Sequence, residues 1–247
     1  MWHRIRSLLA RDGGGSASDV VGGAGIAQEF EKRQPWVTKF SIDGVTYGGA
    51  FDAMNDARLT QFHAHFPDVK TILELGSLEG GHSFGLASHS NVERIVALEG
   101  RSFNIERARF VQKLLGVDKV KFIEVNLEET DLAVHGQFDA VFCAGLLYHL
   151  PEPWKLIAQC ARVGPGLFIW THYAADNNTV EVNGYQGKWY QESGLRDPLS
   201  GMSKESFWPT LTSLKAMLTQ KGFGNVHVIE DDPKHPHGPA VTLAAKR

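Results

Sequence analysis

The stretch Ile72-Leu73-Glu74-Leu75-Gly76-Ser77-Leu78-Glu79-Gly80-Gly81-His82-Ser83 constrains this chain more than any other. A short apolar run breaks into glycines and then re-enters a helical pattern, so the backbone must leave a strand, turn sharply and start a helix. A strand that feeds a helix this way belongs to a parallel sheet, whose ligands bind beyond the strand ends where such turns lie. Glu99 closes the next apolar run, 19 residues after Gly80, and puts a carboxylate at the neighbouring strand end.

The alternation continues. Apolar runs at 71–75, 94–99, 120–125, 138–143 and 167–171 read as five strands, with helices near 81–89, 104–115 and 154–162. A helix over 213–221 and runs at 226–229 and 240–244 then suit an antiparallel finish. The expected fold is α/β: a Rossmann-like, doubly wound, mostly parallel seven-stranded sheet with an antiparallel final strand, an N-terminal cap and an insertion after strand 5. Residues 1–25, glycine-rich from residue 13, read as a flexible segment. Residues 26–66 form the cap, with a hairpin turning at Asp43-Gly44 and an amphipathic helix over 51–66 stopped by Pro67. Residues 67–247 form the main domain, and residues 172–209, rich in Gly, Asn, Tyr and Trp, are a lid-like insertion.

Composition narrows the function classes. With 43% hydrophobic and 21% charged residues over 247 positions, the chain can bury an ordinary core. A formal charge of -3 supplies no drive towards nucleic acid, which leaves such a partner possible but not favoured. Cys143 sits in an apolar run and Cys160 is the only other cysteine, which reads as buried thiols in a reducing cytoplasm. The apolar part of Met1 to Ala10 is too short for an export signal or a membrane span.

The glycine turn alone would specify only a nucleotide-like pocket. Glu74 discriminates, because a dinucleotide turn presents backbone donors to an anionic pyrophosphate, whereas an acidic strand end suits a cationic amino-acid moiety. Gly76-x-Leu78-x-Gly80 also lacks the second glycine of the dinucleotide pattern. In these residues the chain resembles class I S-adenosylmethionine-dependent methyltransferases from about Phe66 to Thr171. The resemblance implies S-adenosylmethionine as cofactor. It places Glu74, Gly76, Leu78 and Gly80 beside the methionine part, Glu99 at the ribose and Asn126, Leu127 and Glu128 at the adenine; Ser83, Gly100, Arg101 and Ala144 are expected in the same site. Two positions depart from the family pattern: Asn126 stands where an Asp is common, and Leu78 where a Gly is. Leu98-Glu99-Gly100-Arg101, Asn104 to Ala108 and Gly145 to Leu150 are similar to the tRNA wobble-uridine carboxymethyltransferase group, though neither that group's longer tRNA-binding portion nor its basic surface is evident here.

Methyl transfer needs an acceptor aligned with the cofactor, and a hydroxyl acceptor gains from a general base. His149, after the fourth strand, is the first candidate base, with Tyr148 beside it; the alternative is that both only brace the loop before Pro151. His172, after the fifth strand, is the second. Tyr173, Tyr185, Trp189, Tyr190 and Glu192, with Trp208, are candidates to wall the acceptor, or alternatively form a lid core. No compact metal-ligand spacing occurs, and His235-Pro236-His237 reads as an exposed turn. The expected function is S-adenosylmethionine-dependent methylation of a small-molecule or sugar-like acceptor at oxygen. The alternatives are a tRNA-modifying methyl- or carboxymethyltransferase and a non-catalytic cofactor-binding protein.

Overall fold

A computed structural model describes residues 23–194, 197 and 199–247. Most of the segment expected to be flexible, residues 1–22, lies outside the described residues. Its last three residues open a helix instead, α1 (Gly23–Lys32), because Ile26 and Phe30, one turn apart, both find buried places. The hairpin follows as β1 (Lys39–Ile42) and β2 (Val45–Gly48). Asp43 and Gly44 between them both take positive φ, 52° and 82°, the turn whose twist matches two antiparallel strands.

The helix expected over 51–66 is shorter. Phe51 makes an isolated bridge to Thr38, Ala53–Asn55 form a 3-10 turn, and only Ala57–His65 are α-helical (α2). The restart is set by Asp56, whose carboxylate accepts from the Arg58 N–H at 2.9 Å and caps the helix.

The main sheet has seven strands in the order β11-β12-β7-β6-β3-β4-β5. They are β3 (Thr71–Leu75), β4 (Arg94–Glu99), β5 (Val120–Glu124), β6 (Ala140–Ala144), β7 (Gly166–His172), β11 (Asn225–Asp232) and β12 (Ala240–Lys246). β5, β4, β3, β6 and β7 pair in parallel, whereas β12 runs antiparallel to both β7 and β11. All five residues of β6 are buried, as expected of a central parallel strand covered on both faces. The order reverses at β3, with β4 on one side and β6 on the other, so the crevice for a ligand opens above Leu75 and Ala144.

Helices α3 (Gly81–Ala87) and α4 (Ser102–Leu115) cover one face together with the cap, around Phe40, Phe62, Phe84 and Phe142. α5 (Pro153–Val163) and α6 (Leu211–Gln220) cover the other, around Leu73, Leu156, Val163 and Leu214. Cys143 and Cys160 are free and buried in this second core, and burial pushes the Cys143 thiol up to about 12. The insertion is an antiparallel sheet of its own: β8 (Val180–Val182), β9 (Tyr185–Gln191) and β10 (Glu205–Pro209), with β9 in the middle. Tyr185 and Phe207 fasten it to the second core.

Candidate functional site

The turn after β3 carries three residues with positive φ: Gly76 at 75°, Leu78 at 49° and Gly80 at 83°. For a leucine this left-handed conformation costs about 1–2 kcal/mol. The Leu78 N–H compensates by donating to Glu99 Oε2 at 2.9 Å, and the Gly76 and Ser77 N–H groups donate to the Leu98 carbonyl at 2.9 and 3.1 Å. The departure from glycine at position 78 is thus absorbed by the acid at the next strand end. Glu99 Oε1 accepts from the Arg101 N–H at 3.0 Å and from Asn104 Nδ2 at 3.2 Å. A carboxylate held on both oxygens by the protein keeps fixed lone pairs for a diol. At the third strand end, Asn126 Oδ1 accepts from the Glu128 N–H at 3.1 Å, which fixes the loop and leaves the amide NH₂ as a donor.

These strand ends open on a cavity of about 540 Å³, a size usual for a cofactor with a small substrate. Of the residues expected at the cofactor, Gly76, Leu78, Glu99, Gly100, Arg101, Asn126, Leu127, Glu128 and Ala144 line it. Ser77 lines it too, with a buried hydroxyl that has no partner in the protein, an atom a polar ligand would satisfy.

Glu74, Gly80 and Ser83 do not line it. Glu74 is 1% exposed because its side chain turns beneath α3, where it accepts a hydrogen bond from Ser83. Burial raises its pKa to about 7, against the Ser83 bond and with help from Glu99. The acid expected to meet a cationic ligand group therefore braces the turn from behind. Gly80 caps α3, and a Cβ there would come within 2.8 Å of the Phe122 ring. Glu79, which the sequence reading passed over, is fully buried; its carboxylate accepts from Val37 N at 3.1 Å and Thr38 N at 2.7 Å and meets Arg107 at 3.5 Å. It ties the cap to the turn.

The other end of the cavity is lined by Tyr148, His149, Trp170, Arg58, His82, His235 and His237. His149 Nδ1 lies 3.0 Å from Glu192 Oε1, an arrangement that favours the neutral tautomer with its proton on Nδ1 and its lone pair on Nε2. Burial lowers the His149 pKa and Glu192 opposes that shift, leaving the ring neutral at ordinary pH. Burial also drives the Tyr148 phenol up to about 12, so it stays a donor.

Arg58 is held by Asp56, with Nε to Oδ2 at 2.8 Å, and its guanidinium lies 4.6 Å from the Trp170 ring and 5.6 Å from that of Phe51. His82 Nε2 meets the same Asp56 at 3.0 Å. Burial works against ionisation of Asp56, yet the bonds from His82 and Arg58 hold its pKa well below the usual range. The result is a fixed guanidinium beside the start of α3 whose Nε and Nη2 are taken by Asp56, which leaves Nη1 as its remaining donor group.

His172 is 4% exposed and does not line the cavity. Its Nδ1 faces the carbonyls of Gly238 and Pro239 at 2.9 and 3.2 Å, and its ring stacks on Trp208 at 4.9 Å. It packs behind Tyr148, Trp170 and His235, which line the cavity in its place. The five expected acceptor contacts, Tyr173, Tyr185, Trp189, Tyr190 and Glu192, are likewise absent from the lining. Tyr173 and Tyr185 donate to Asp231 and Gln220, Trp189 packs on Phe207, Tyr190 stacks on Trp208 at 3.9 Å, and Glu192 holds His149. Of the three that lie on β9, Tyr185 turns into the second core and Trp189 and Tyr190 lie against Phe207 and Trp208 of β10.

His235 and His237 lie, as expected, in a turn between the last two strands, with His237 exposed; both also line the cavity, because this β11–β12 connection folds back over β7. His235 Nδ1 accepts from the His237 N–H at 3.3 Å, which puts its proton on Nε2. Among the described residues no group of three or more His, Cys, Asp or Glu is arranged to hold a metal ion, and no helix is long and apolar enough to cross a membrane.

Residues 68–195 match the family model described as a methyltransferase domain. The tRNA U34 carboxymethyltransferase of Sulfurovum sp. (strain NBC37-1) is 26% identical over 172 residues, covering 65% of this chain and 50% of that protein. The ubiquinone biosynthesis O-methyltransferase of Dechloromonas aromatica (strain RCB) is 36% identical over 76 residues, 27% of this chain and 33% of that protein. The chain thus spans half or less of the length of these curated relatives. Among solved structures, the N-terminal domain of EvdMO1, crystallised in the presence of SAH (S-adenosylhomocysteine) and D-fucose, superposes with a TM-score of 0.83 at 32% identity, covering 92% of this chain and 97% of that one.

Proposed function

Since the chain belongs to the S-adenosylmethionine-dependent methyltransferases, we propose that it methylates a hydroxyl of a small, sugar-like acceptor, with His149 as general base. The observation that carries the reading is the single cavity that joins the Glu99 strand end to a His149 side chain held by Glu192. The residues fit the cofactor: Glu99 offers a fixed carboxylate to the ribose diol, Asn126 an amide to the adenine, and Arg58 a guanidinium to the methionine carboxylate. When bound, S-adenosylmethionine supplies an electrophilic methyl group.

The protein's part is to orient and to move one proton. His149 Nε2 takes the acceptor's hydroxyl proton as the oxygen attacks, and Glu192 steadies the imidazolium. Tyr148 and His235, both donors, orient the acceptor's oxygens. Trp170 supplies an apolar wall. A sugar-like acceptor is favoured because the EvdMO1 domain was crystallised with D-fucose and because this end combines donors, a base and an aromatic wall.

The test is calorimetric titration with S-adenosylmethionine and SAH, followed by an acceptor screen that reads SAH formation and begins with D-fucose. Binding of both cofactor forms and turnover with a hydroxylated acceptor are expected. Binding of neither form would defeat the cofactor reading; turnover only with tRNA, at an affinity that falls as salt rises, would replace the acceptor.

A further inference from the structure

One loop touches both ends of the cavity. After β9 the chain passes Glu192 and returns to β10 through Leu199, Ser200, Gly201 and Met202, all four of which line the cavity. At the cofactor end Arg101 Nη2 donates to the carbonyls of Gly194, Asp197 and Ser200 at 3.1, 3.0 and 2.8 Å. Ser203 Oγ donates to Glu128 at 2.7 Å, and Met202 lies so close to Gly100 that a Cβ there would fall 2.3 Å from its sulfur. The residues that grip this loop are thus those of the Glu99–Arg101 and Asn126–Glu128 strand ends.

At the acceptor end the same loop fixes Glu192. Oε2 of that carboxylate accepts from Ser200 Oγ at 2.5 Å and from the Gly201 N–H at 2.7 Å, while Oε1 faces His149 Nδ1 at 3.0 Å. Ser200 Oγ also accepts from the Ser193 N–H at 2.7 Å, which closes the loop on itself. Gly201 packs against the His149 carbonyl, where a Cβ would come within 2.5 Å.

We propose that Ser200 is a positioning residue that ties cofactor binding to the base: a ligand seated against the loop fixes Ser200, Ser200 fixes Glu192, and Glu192 fixes which nitrogen of His149 holds the proton. This rests on the cofactor reading above. The physical basis is that Glu192 selects the Nδ1–H form of a neutral imidazole only while its own orientation is held; an unheld histidine prefers Nε2–H, which would turn the base away from the acceptor's proton. Binding and base assembly then share one loop, and the coupling must be reciprocal.

The experiment is nitrogen NMR of the full chain with labelled histidine, His149 assigned through His149→Ala, recorded with and without SAH at a pH where the ring is neutral. SAH is the probe because it lacks the sulfonium charge. In the wild type, SAH is expected to raise the Nδ1–H population of His149. Ser200→Ala and Glu192→Gln are expected to bind SAH without that rise. A wild-type tautomer unchanged by SAH would overturn the tie even if neither variant folds, and so would an equal rise in Ser200→Ala. Failure of the wild type to bind SAH would instead overturn the cofactor reading itself.

Discussion

At the Glu99 end of the cavity the residues come from three consecutive strand ends, and backbone groups make most of the contacts: the Leu78 and Arg101 N–H groups on Glu99, and the Glu128 N–H on Asn126. At the Tyr148–His149 end they come from the loop after β6, β7, the loop after β9 and the β11–β12 turn, and side chains make the contacts. The first end is fixed by how a parallel sheet terminates, so it suits a ligand common to a family. The second depends on long-range packing of loops and turns from separate parts of the chain, the kind of construction that suits a ligand differing between relatives.

The sharpest break of this comparison is His149→Ala, which should lower kcat by about 10²–10⁴-fold while SAH affinity changes far less. Turnover followed by SAH formation across pH should also fall on the acid side, with a midpoint below the ordinary histidine value. The base must be neutral, and burial lowers the His149 pKa, so activity is retained until the pH drops through that lowered value. Glu192→Gln comes next: kcat should drop by about tenfold, with a smaller rise in the KM for cofactor, because the orientation of His149 is lost while the loop keeps its contacts to Arg101 and Glu128. Trp170→Ala should raise the acceptor KM several-fold, leaving SAH affinity nearly unchanged in calorimetry.

The smallest expected effect concerns Glu74, which acts on the turn instead of the ligand. Its folded pKa of about 7 lies above its unfolded value of 4.5, so the neutral form favours folding. The stability that Glu74 contributes is then fullest below 4.5 and is lost as pH rises through about 7. Urea unfolding of Glu74→Gln should show a flatter dependence over that window than wild type.

The same contrast explains what could be read in advance. Residues 71–75 and 94–99 are strands from end to end, since apolar runs closed by glycine or acid are local signals. β12 was legible as a strand from its apolar run, and its antiparallel direction from the short connection after β11. What sequence could not carry was direction: Glu74 and Glu99 both sit at or near strand ends, yet one turns under α3 and the other faces the cavity. Nor could spacing bring Arg58, which follows the Asp56 cap, to Trp170, 112 positions later in the chain. His172 and Tyr173 seemed suited to the site by their position after a strand; the β11–β12 turn covers them and supplies His235 in their place. Pairing across the chain decides such matters, and one sequence does not display it.

The most direct measurement of the two-ended cavity is calorimetric titration of SAH into wild type, Glu99→Gln and His149→Ala. The account predicts one site in the wild type, binding weakened at least about tenfold in Glu99→Gln through loss of a charge-assisted bond, and binding retained in His149→Ala. Equal weakening in both variants, or unchanged binding in Glu99→Gln, would contradict it.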